Sequence, residues 1–404
     1  MNGSAADKSF QHYLTITFSY WAFTITDGAI RMLVVLYFHQ LGYDPIQIAS
    51  LFLFYELFGV VTNLLGGWIA SRTGLNVTLH LGIGLQIVAL SMLAVDAVYL
   101  TVPYVMFAQA LSGIAKDLNK MSAKSGVKLF AGQSSAHLFK WVSVLTGSKN
   151  TLKGAGFFIG AILLSSFGFQ KALLLMSAVL LMVLIATVIL LPRDLGRINK
   201  KVKFIHLFSK KTEINWLSSA RFFLFGARDI WFVVGLPVFM SSVLKWSHNE
   251  IGSFFALWIM VYGLVQAFVP KLIRHTHHNA GPDGMTAHLW ALVLAILTVA
   301  IAWWFDATAD SSVLLISGLV LFAIVVAINS AIHSFLILHY SDKDNVTLDV
   351  GFYYMSNAAG RLCGTILSGV IYQYWGLAGC LWASALFIVS ACLLSVKLPR
   401  YRSV

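Results

Sequence analysis

The chain reads as an all-α membrane protein of twelve spanning helices in two pseudosymmetric six-helix bundles. Three observations carry that expectation. Of its 404 residues 58% are hydrophobic and only 11% charged, with a mean hydropathy of +0.80, far outside the range of soluble globular chains. Cutting the sequence at its polar and turn-rich breaks leaves about twelve segments of roughly twenty residues or more, each able to cross a hydrocarbon core about 30 Å thick. Finally, membrane cations recur at equivalent places in the two halves.

In chain order the spans centre near Thr26, Phe58, Ile87, Gly113, Gly154, Val179, Ala227, Met260, Val299, Leu321, Arg361 and Phe387. The first carries Asp27 and Arg31 and outruns the apolar region of a cleaved signal peptide, which is about 15 residues at most, so it reads as a retained helix. The sixth and seventh are separated by the longest polar stretch, residues 192–212. That stretch is too short for a core of its own, which excludes a cytosolic catalytic or DNA-binding module. The expected organisation is a first bundle at 1–191, a basic linker at 192–212 and a second bundle at 213–404.

The net charge of +12 therefore needs an explanation other than nucleic acid. Much of it lies on one alternating set of loops: Arg72; Lys124, Lys128 and Lys140; Arg193, Arg197, Lys200, Lys201, Lys203, Lys210 and Lys211; Lys271 and Arg274; Lys343; and Lys397, Arg400 and Arg402. The positive-inside rule makes these cytoplasmic and puts both termini inside a cell (inner) membrane. Cys363, Cys380 and Cys392 fit neither a disulfide framework nor a metal site and read as apolar filler. His275, His277 and His278 suggest a metal clip or, more plainly, a solvated basic loop. No metal or cofactor is expected.

An internal repeat supports the two-bundle division. At an offset of 203, Leu41, Ile48 and Asn63 match Leu244, Ile251 and Gln266, and Asp27 falls one residue from register with Asp229. At an offset of 208, Ser148, Lys153, Gly156 and Gly168 meet Ser356, Arg361, Gly364 and Gly376. Two such halves around a midplane site resemble the plan of major facilitator transporters, whose halves rock about the bound substrate.

Charged residues within spans are expensive and survive where they pair or line a wet cavity. Here they are Asp27 and Arg31; Glu56; Lys116, Asp117 and Lys120; Lys149 and Lys153; Arg221, Arg228 and Asp229; and Arg361. Spans three, six, nine and twelve have none inside, as expected of lipid-facing helices. Helical spacing gathers Tyr20, Thr24, Asp27 and Arg31 on one stripe, and does the same for Gln109, Gly113, Lys116 and Lys120, for Thr146, Lys149, Lys153 and Gly160, and for Tyr354, Asn357 and Arg361. Trp258, Tyr262 and Gln266, and Asn329 with His333, form polar faces on the eighth and tenth spans.

The cation excess points to an anionic cargo. Its candidate contacts are Arg31, Lys116, Lys120, Lys149, Lys153, Arg228 and Arg361, with Tyr354 and Asn357. Asp27, Glu56, Asp117 and Asp229 are the carboxylates for proton coupling or ion pairing. Asp27 and Arg31, at i and i+4, can also form a structural pair on one helix, and Lys120 near a helix end can snorkel. Lys153, Arg228 and Arg361 lie near mid-span, where snorkelling is hard and ligand contact is the favoured reading. Glu56 has no local partner; it is read as proton-coupling or as paired to a neighbouring helix.

The segments WAFTITDGAIRMLVVLYF (21–38), FLFYELFGVVTNLLGGW (52–68), ALSGIAKDLNKMSAKS (110–125), LTGSKNTLKGAGFF (145–158), LLPRDLG (190–196) and ARFFLFGARDIWFVVGLPVF (220–239) resemble those of ArsJ-type organoarsenical efflux permeases. The resemblance implies a major facilitator permease that expels 1-arseno-3-phosphoglycerate. That labile product forms when glyceraldehyde-3-phosphate dehydrogenase accepts arsenate in place of phosphate, and outside the cell it releases arsenate. The resemblance thus implies arsenate resistance and a functional coupling to that dehydrogenase. One departure concerns the superfamily's G-x-x-x-D-R-x-G loop, which here reads GWIASRTG, with Ser71 in place of the acid.

An organophosphate or other organic-anion permease of the same fold is the alternative. A membrane receptor is disfavoured by the absence of a signalling domain, and no H-E-x-x-H or G-x-S-x-G is placed to organise catalysis, so an enzyme is not expected.

Overall fold

The computed structural model describes residues 2–43, 50–130, 135–192, 211–246, 248–273, 281–307, 312–342 and 346–400. Most of the linker and its cations Arg193, Arg197, Lys200, Lys201, Lys203 and Lys210 lie outside the described residues, as do Arg274, His275, His277, His278, Lys343 and Arg402. The described chain is almost wholly helical. The helices are α1 (Asn2–Gln40), α2 (Leu53–Thr73), α3 (Leu75–Leu93), α4 (Val102–Phe130), α5 (Ser135–Phe167) and α6 (Phe169–Leu190). They continue with α7 (Thr212–Phe232), a short α8 (Gly235–Ser242), α9 (His248–Leu272), α10 (Gly284–Ala307), α11 (Ser312–Tyr340) and α12 (Val346–Ser395).

Among the described residues, nine helical stretches are long and apolar enough to cross a membrane. Those nine count α12 once, although its 50 residues would reach about 75 Å at 1.5 Å per residue. Gly376, at φ 59° and ψ −159°, breaks it into two spans. Of the expected twelve, α4 and α5 are missing from the nine. Both carry cations, Lys116, Lys120 and Lys124 on α4 and Lys140, Lys149 and Lys153 on α5; Lys124 and Lys140, expected on a loop, lie within the helices instead. Both helices are long enough but too charged for a purely apolar span, as helices facing a polar interior must be.

Two compact units make up the chain. The first comprises residues 1–132, 148–208 and 342–352; the second comprises 133–147, 209–341 and 353–404. The division falls inside α5 and near the start of α12, so each of these helices contributes to both units.

In the first unit, small residues let α1 and α5 approach backbone to backbone. A Cβ on Gly156 would sit 2.5 Å from the Ile25 carbonyl oxygen, and one on Gly160 would meet Ala29. Close packing of this kind replaces the hydrophobic effect as the force between membrane helices. Trp21 Nε1 donates to Ser148 Oγ across the same seam at 2.8 Å. Gly168, at φ 74°, turns α5 into α6. On α6 the residues Leu174, Leu181, Met182, Ile185 and Ile189 are exposed, as the lipid-facing expectation requires.

The second unit repeats these devices. A Cβ on Gly360 would collide with the Phe222 backbone and one on Gly364 with Gly226, joining α12 to α7. Gly376 takes the positive φ that Gly168 takes in the first unit, at the offset of 208 read from the sequence. The unit's core is built on Trp231, edge-on to Phe322 at 5.3 Å and to Trp258 at 6.1 Å. Trp258 Nε1 donates to the Leu319 carbonyl at 3.0 Å, which satisfies a buried donor. Leu289, Val293, Ile296 and Trp303 on α10, with Leu386 and Leu393 late in α12, are exposed.

Candidate functional site

Each unit encloses an ionic centre on the seam just described. In the first, Lys153 on α5 reaches Asp27 on α1 at 2.8 Å, and Tyr55 on α2 donates its hydroxyl to the other oxygen of the same carboxylate at 2.5 Å. Arg31 pairs with Glu56 at 3.0 Å. The Tyr55 ring lies between two cations, with Arg31 Cζ at 4.1 Å and Lys116 Nζ at 3.9 Å from its centroid, close enough for a cation–π attraction to each. Asp117 accepts from Lys120 at 2.6 Å and lies 3.8 Å from Lys116.

In the second unit, Asp229 is shared. Arg228 reaches its Oδ1 at 2.5 Å and Arg361 its Oδ2 at 3.0 Å. The α1–α5 pair of Asp27 and Lys153 is thus mirrored by an α7–α12 pair of Asp229 and Arg361, the cations in register in the internal repeat and the aspartates one residue from it. Farther along α7, buried Arg221 donates to Asn357 Oδ1 at 2.8 Å and Ser330 Oγ at 3.2 Å, and its guanidinium stacks 3.7 Å from the centroid of Phe225.

The electrostatics combine pairing with excess. Within the span interiors Arg31, Lys116, Lys120, Lys149, Lys153, Arg221, Arg228 and Arg361 share Asp27, Glu56, Asp117 and Asp229. Among the described residues no carboxylate lies within 4.0 Å of Lys149 or Arg221. Lys149 instead lies within electrostatic reach of Lys116, Lys120, Lys124 and Lys153. Except in the Arg31–Glu56 pair, whose side chains are 24% and 25% exposed, the carboxylate is the deeper member: the Asp229 side chain is 1% exposed and its partner Arg361 30%. Such carboxylates fix cationic side chains in position while part of each cation stays exposed.

Several residue readings change in the structure. Asp27 and Arg31 do not pair with each other; the partner of each lies on another helix, so the i, i+4 spacing misleads here. Glu56, without a local partner in the sequence, finds Arg31 across 25 residues. Lys120 does not simply snorkel, since it is tied to Asp117. Lys153, Arg228 and Arg361, read as ligand contacts, each already hold a carboxylate. Tyr354 and Asn357 are buried, and Asn357 serves Arg221. Tyr55 was missed. Its adjacency to Glu56, one residue along a charged span, was the available signal, but its two roles depend on α1 and α4 and leave no mark in spacing.

A cavity in the second unit, about 440 Å³, is lined by Lys211, Glu213, Asp283, His339, Tyr340, Pro399 and Arg400. It lies where α7 begins, about 25 Å along the helix from Asp229 at 1.5 Å per residue, and Lys211 donates to the Tyr340 carbonyl at 3.0 Å. It is separate from the ionic centre.

Apolar spanning helices in two units, each holding an ionic centre on a glycine-lined seam, define a polytopic membrane transporter. The chain belongs to the Major Facilitator Superfamily, whose sequence profile matches residues 15–334. Solved structures share the fold. The human organic anion transporter MFSD10 (TETRAN) is 15% identical, with a TM-score of 0.77 over 96% of this chain and 99% of that one. The proton:xylose symporter XylE, bound to 6-bromo-6-deoxy-D-glucose, is 12% identical, with a TM-score of 0.77 over 97% and 96%. A bacterial homologue of the iron transporter ferroportin in an outward-facing state is 13% identical, with a TM-score of 0.75 over 96% and 98%. No curated protein sequence matches the chain.

Proposed function

We propose that this transporter exports 1-arseno-3-phosphoglycerate by alternating access and so confers resistance to arsenate. The observation that carries the anionic part of this reading is the cation excess: among the described residues, eight span-interior cations share four carboxylates, and Lys149 and Arg221 have none within 4.0 Å. The organoarsenical part rests on the resemblance of the segments at 21–38, 52–68, 110–125, 145–158, 190–196 and 220–239 to ArsJ-type permeases.

The cargo suits such a site. A molecule with phosphate at one end and arsenate at the other carries about three to four negative charges, and separated Lys and Arg groups can hold both ends. Trivalent arsenic would instead demand thiolates, and Cys363, Cys380 and Cys392 are scattered along late helices. The interior-negative membrane potential favours outward movement of an anion by about 2.3 kcal/mol per charge per 100 mV.

In this reading residues 1–191 and 213–404 move about the 192–212 linker, in an inner membrane with both termini cytoplasmic. Arg31, Lys116, Lys120, Lys149 and Lys153 in the first unit, and Arg228 and Arg361 with Tyr354 and Asn357 in the second, are the candidate anion contacts. An arriving oxyanion competes with Asp27, Glu56 or Asp229 for cations those carboxylates already position. If protons are exchanged, the displaced carboxylates are where they bind. Glyceraldehyde-3-phosphate dehydrogenase supplies the cargo and is a functional partner.

Everted membrane vesicles give a direct assay. Uptake of labelled three-carbon substrate is expected when dehydrogenase, glyceraldehyde 3-phosphate, NAD and arsenate are all present, and it is lost when arsenate is replaced by phosphate. Equal uptake of 3-phosphoglycerate without arsenate would reassign the protein as a general organophosphate permease.

A further inference from the structure

Arg221 is the second unit's unexplained cation. It stands seven residues before Arg228 on α7, two turns away on the same face, yet Asp229 is taken up by Arg228 and Arg361. Arg221 itself is 3% exposed. Among the described residues its partners are neutral: Asn357, Ser330 and the rings of Phe225 and Tyr353. A guanidinium has five N–H donors, and two are engaged by these hydrogen bonds. A buried charge without a counter-charge is costly to keep. A second group in the same place is also unspent. His333 on α11 is 1% exposed, its Nδ1 has no hydrogen-bond partner among the described residues, and it lies close enough to feel the charge of Arg221.

We propose that Arg221 and His333, flanked by Asn357, Ser330 and Tyr354, form an oxyanion pocket that receives one phosphate or arsenate terminus of the cargo. The proposal rests on the anion-export reading and refines it: Arg221, rather than the carboxylate-bound Arg228 or Arg361, is the second unit's principal anchor. The fork of free N–H donors meets two oxyanion oxygens, and His333 Nδ1 donates to a third when protonated there. Asn357 and Ser330 hold the guanidinium flat against Phe225, so that its orientation is set before the ligand arrives. The pocket is buried in this conformation, and the ligand reaches it when α7, α11 and α12 part during the transport cycle.

The deciding experiment is binding of 3-phosphoglycerate and of inorganic phosphate by purified protein, measured calorimetrically, alongside thermal melting without ligand. Arg221→Gln is expected to weaken 3-phosphoglycerate binding about ten- to hundredfold, the scale of losing a charge-assisted contact, while the ligand-free melting temperature holds or rises. Arg221→Lys, which keeps the charge and loses the fork, is expected to fall between wild type and Arg221→Gln, and it serves if the glutamine variant fails to fold. Unchanged affinity in both variants would overturn the pocket, as would a drop in ligand-free stability with affinity kept, since that marks a purely structural arginine. The two readings separate cleanly. Arsenate-dependent vesicle uptake that survives Arg221→Gln removes the pocket but keeps the exporter, whereas Arg221-dependent phosphate binding without any such uptake keeps the pocket and removes the exporter.

Discussion

Replacing Asp229 with Asn isolates what the shared carboxylate does. The side chain is 1% exposed and holds Arg228 at 2.5 Å and Arg361 at 3.0 Å. At an effective dielectric constant of about 20, a unit pair about 3 Å apart attracts by about 5 kcal/mol before desolvation is set against it. Asparagine keeps the shape but takes away the negative charge that Arg228 and Arg361 share. Breaking a buried pair costs about 3–5 kcal/mol, and here the 30% exposure of Arg361 favours the lower end. For a unit of about 200 residues that is a fall of roughly 6 °C or more in melting temperature, read by following unfolding of the purified protein in detergent. Adding Arg361→Gln to Asp229→Asn removes one of the two cations that shared the carboxylate and is predicted to recover part of the loss. Asp229→Asn as stable as wild type, or a double variant no better than the single, would refute the view that this cluster is held by charge balance.

Other contacts yield predictions of their own. Lys149→Gln is expected to reduce export about tenfold or more, the scale of losing a charge-assisted contact, with normal membrane amounts by immunoblot; undiminished export would remove Lys149 from the cargo path. Tyr55→Phe deletes the hydroxyl bonded to Asp27 while keeping the ring between Arg31 and Lys116, and should cost about 1–2 kcal/mol in thermal stability; no change would mean that the 2.5 Å contact contributes nothing. Gly360→Ala places a methyl group on the Phe222 backbone and is predicted to cost about 1–3 kcal/mol, seen as loss of monodisperse protein on size exclusion, whereas Gly84→Ala, with open space at its Cβ, should behave as wild type. For topology, a cysteine at the exposed Val98 should react with an impermeant maleimide in intact cells, and one at Lys201 only after permeabilisation; the reverse pattern would invert the assigned orientation.

The spans were legible in the sequence because twenty or so apolar residues in a row have few alternatives, and the lipid-facing helices because they lack internal charge. The repeat was legible too. Lys153 with Arg361 and Gly168 with Gly376 stand at one offset, and each pair plays one part in both units. The first supplies a cation to the neighbouring helix's aspartate, and the second a positive-φ break between spans. What stayed hidden was which charges meet. Sequence spacing sees along one helix, so it offered Asp27 to Arg31, while the real partners Lys153 and Glu56 come from α5 and α2. The same limit hid Tyr55, whose ring matters only because α1 and α4 bring cations to its two faces. Arg221 was visible as a charged residue, but its neutral surroundings depend on α11 and α12.

Solid-supported-membrane recording from reconstituted proteoliposomes asks the central question, the sign of the charge that travels with the cargo. When the arsenylated phosphoglycerate is generated at the membrane surface, net negative charge should move in the direction of the substrate, whether or not protons move the opposite way. A positive charge moving with a cationic solute, and no current with the organoarsenical or with 3-phosphoglycerate, would contradict a carrier built around an excess of buried lysine and arginine.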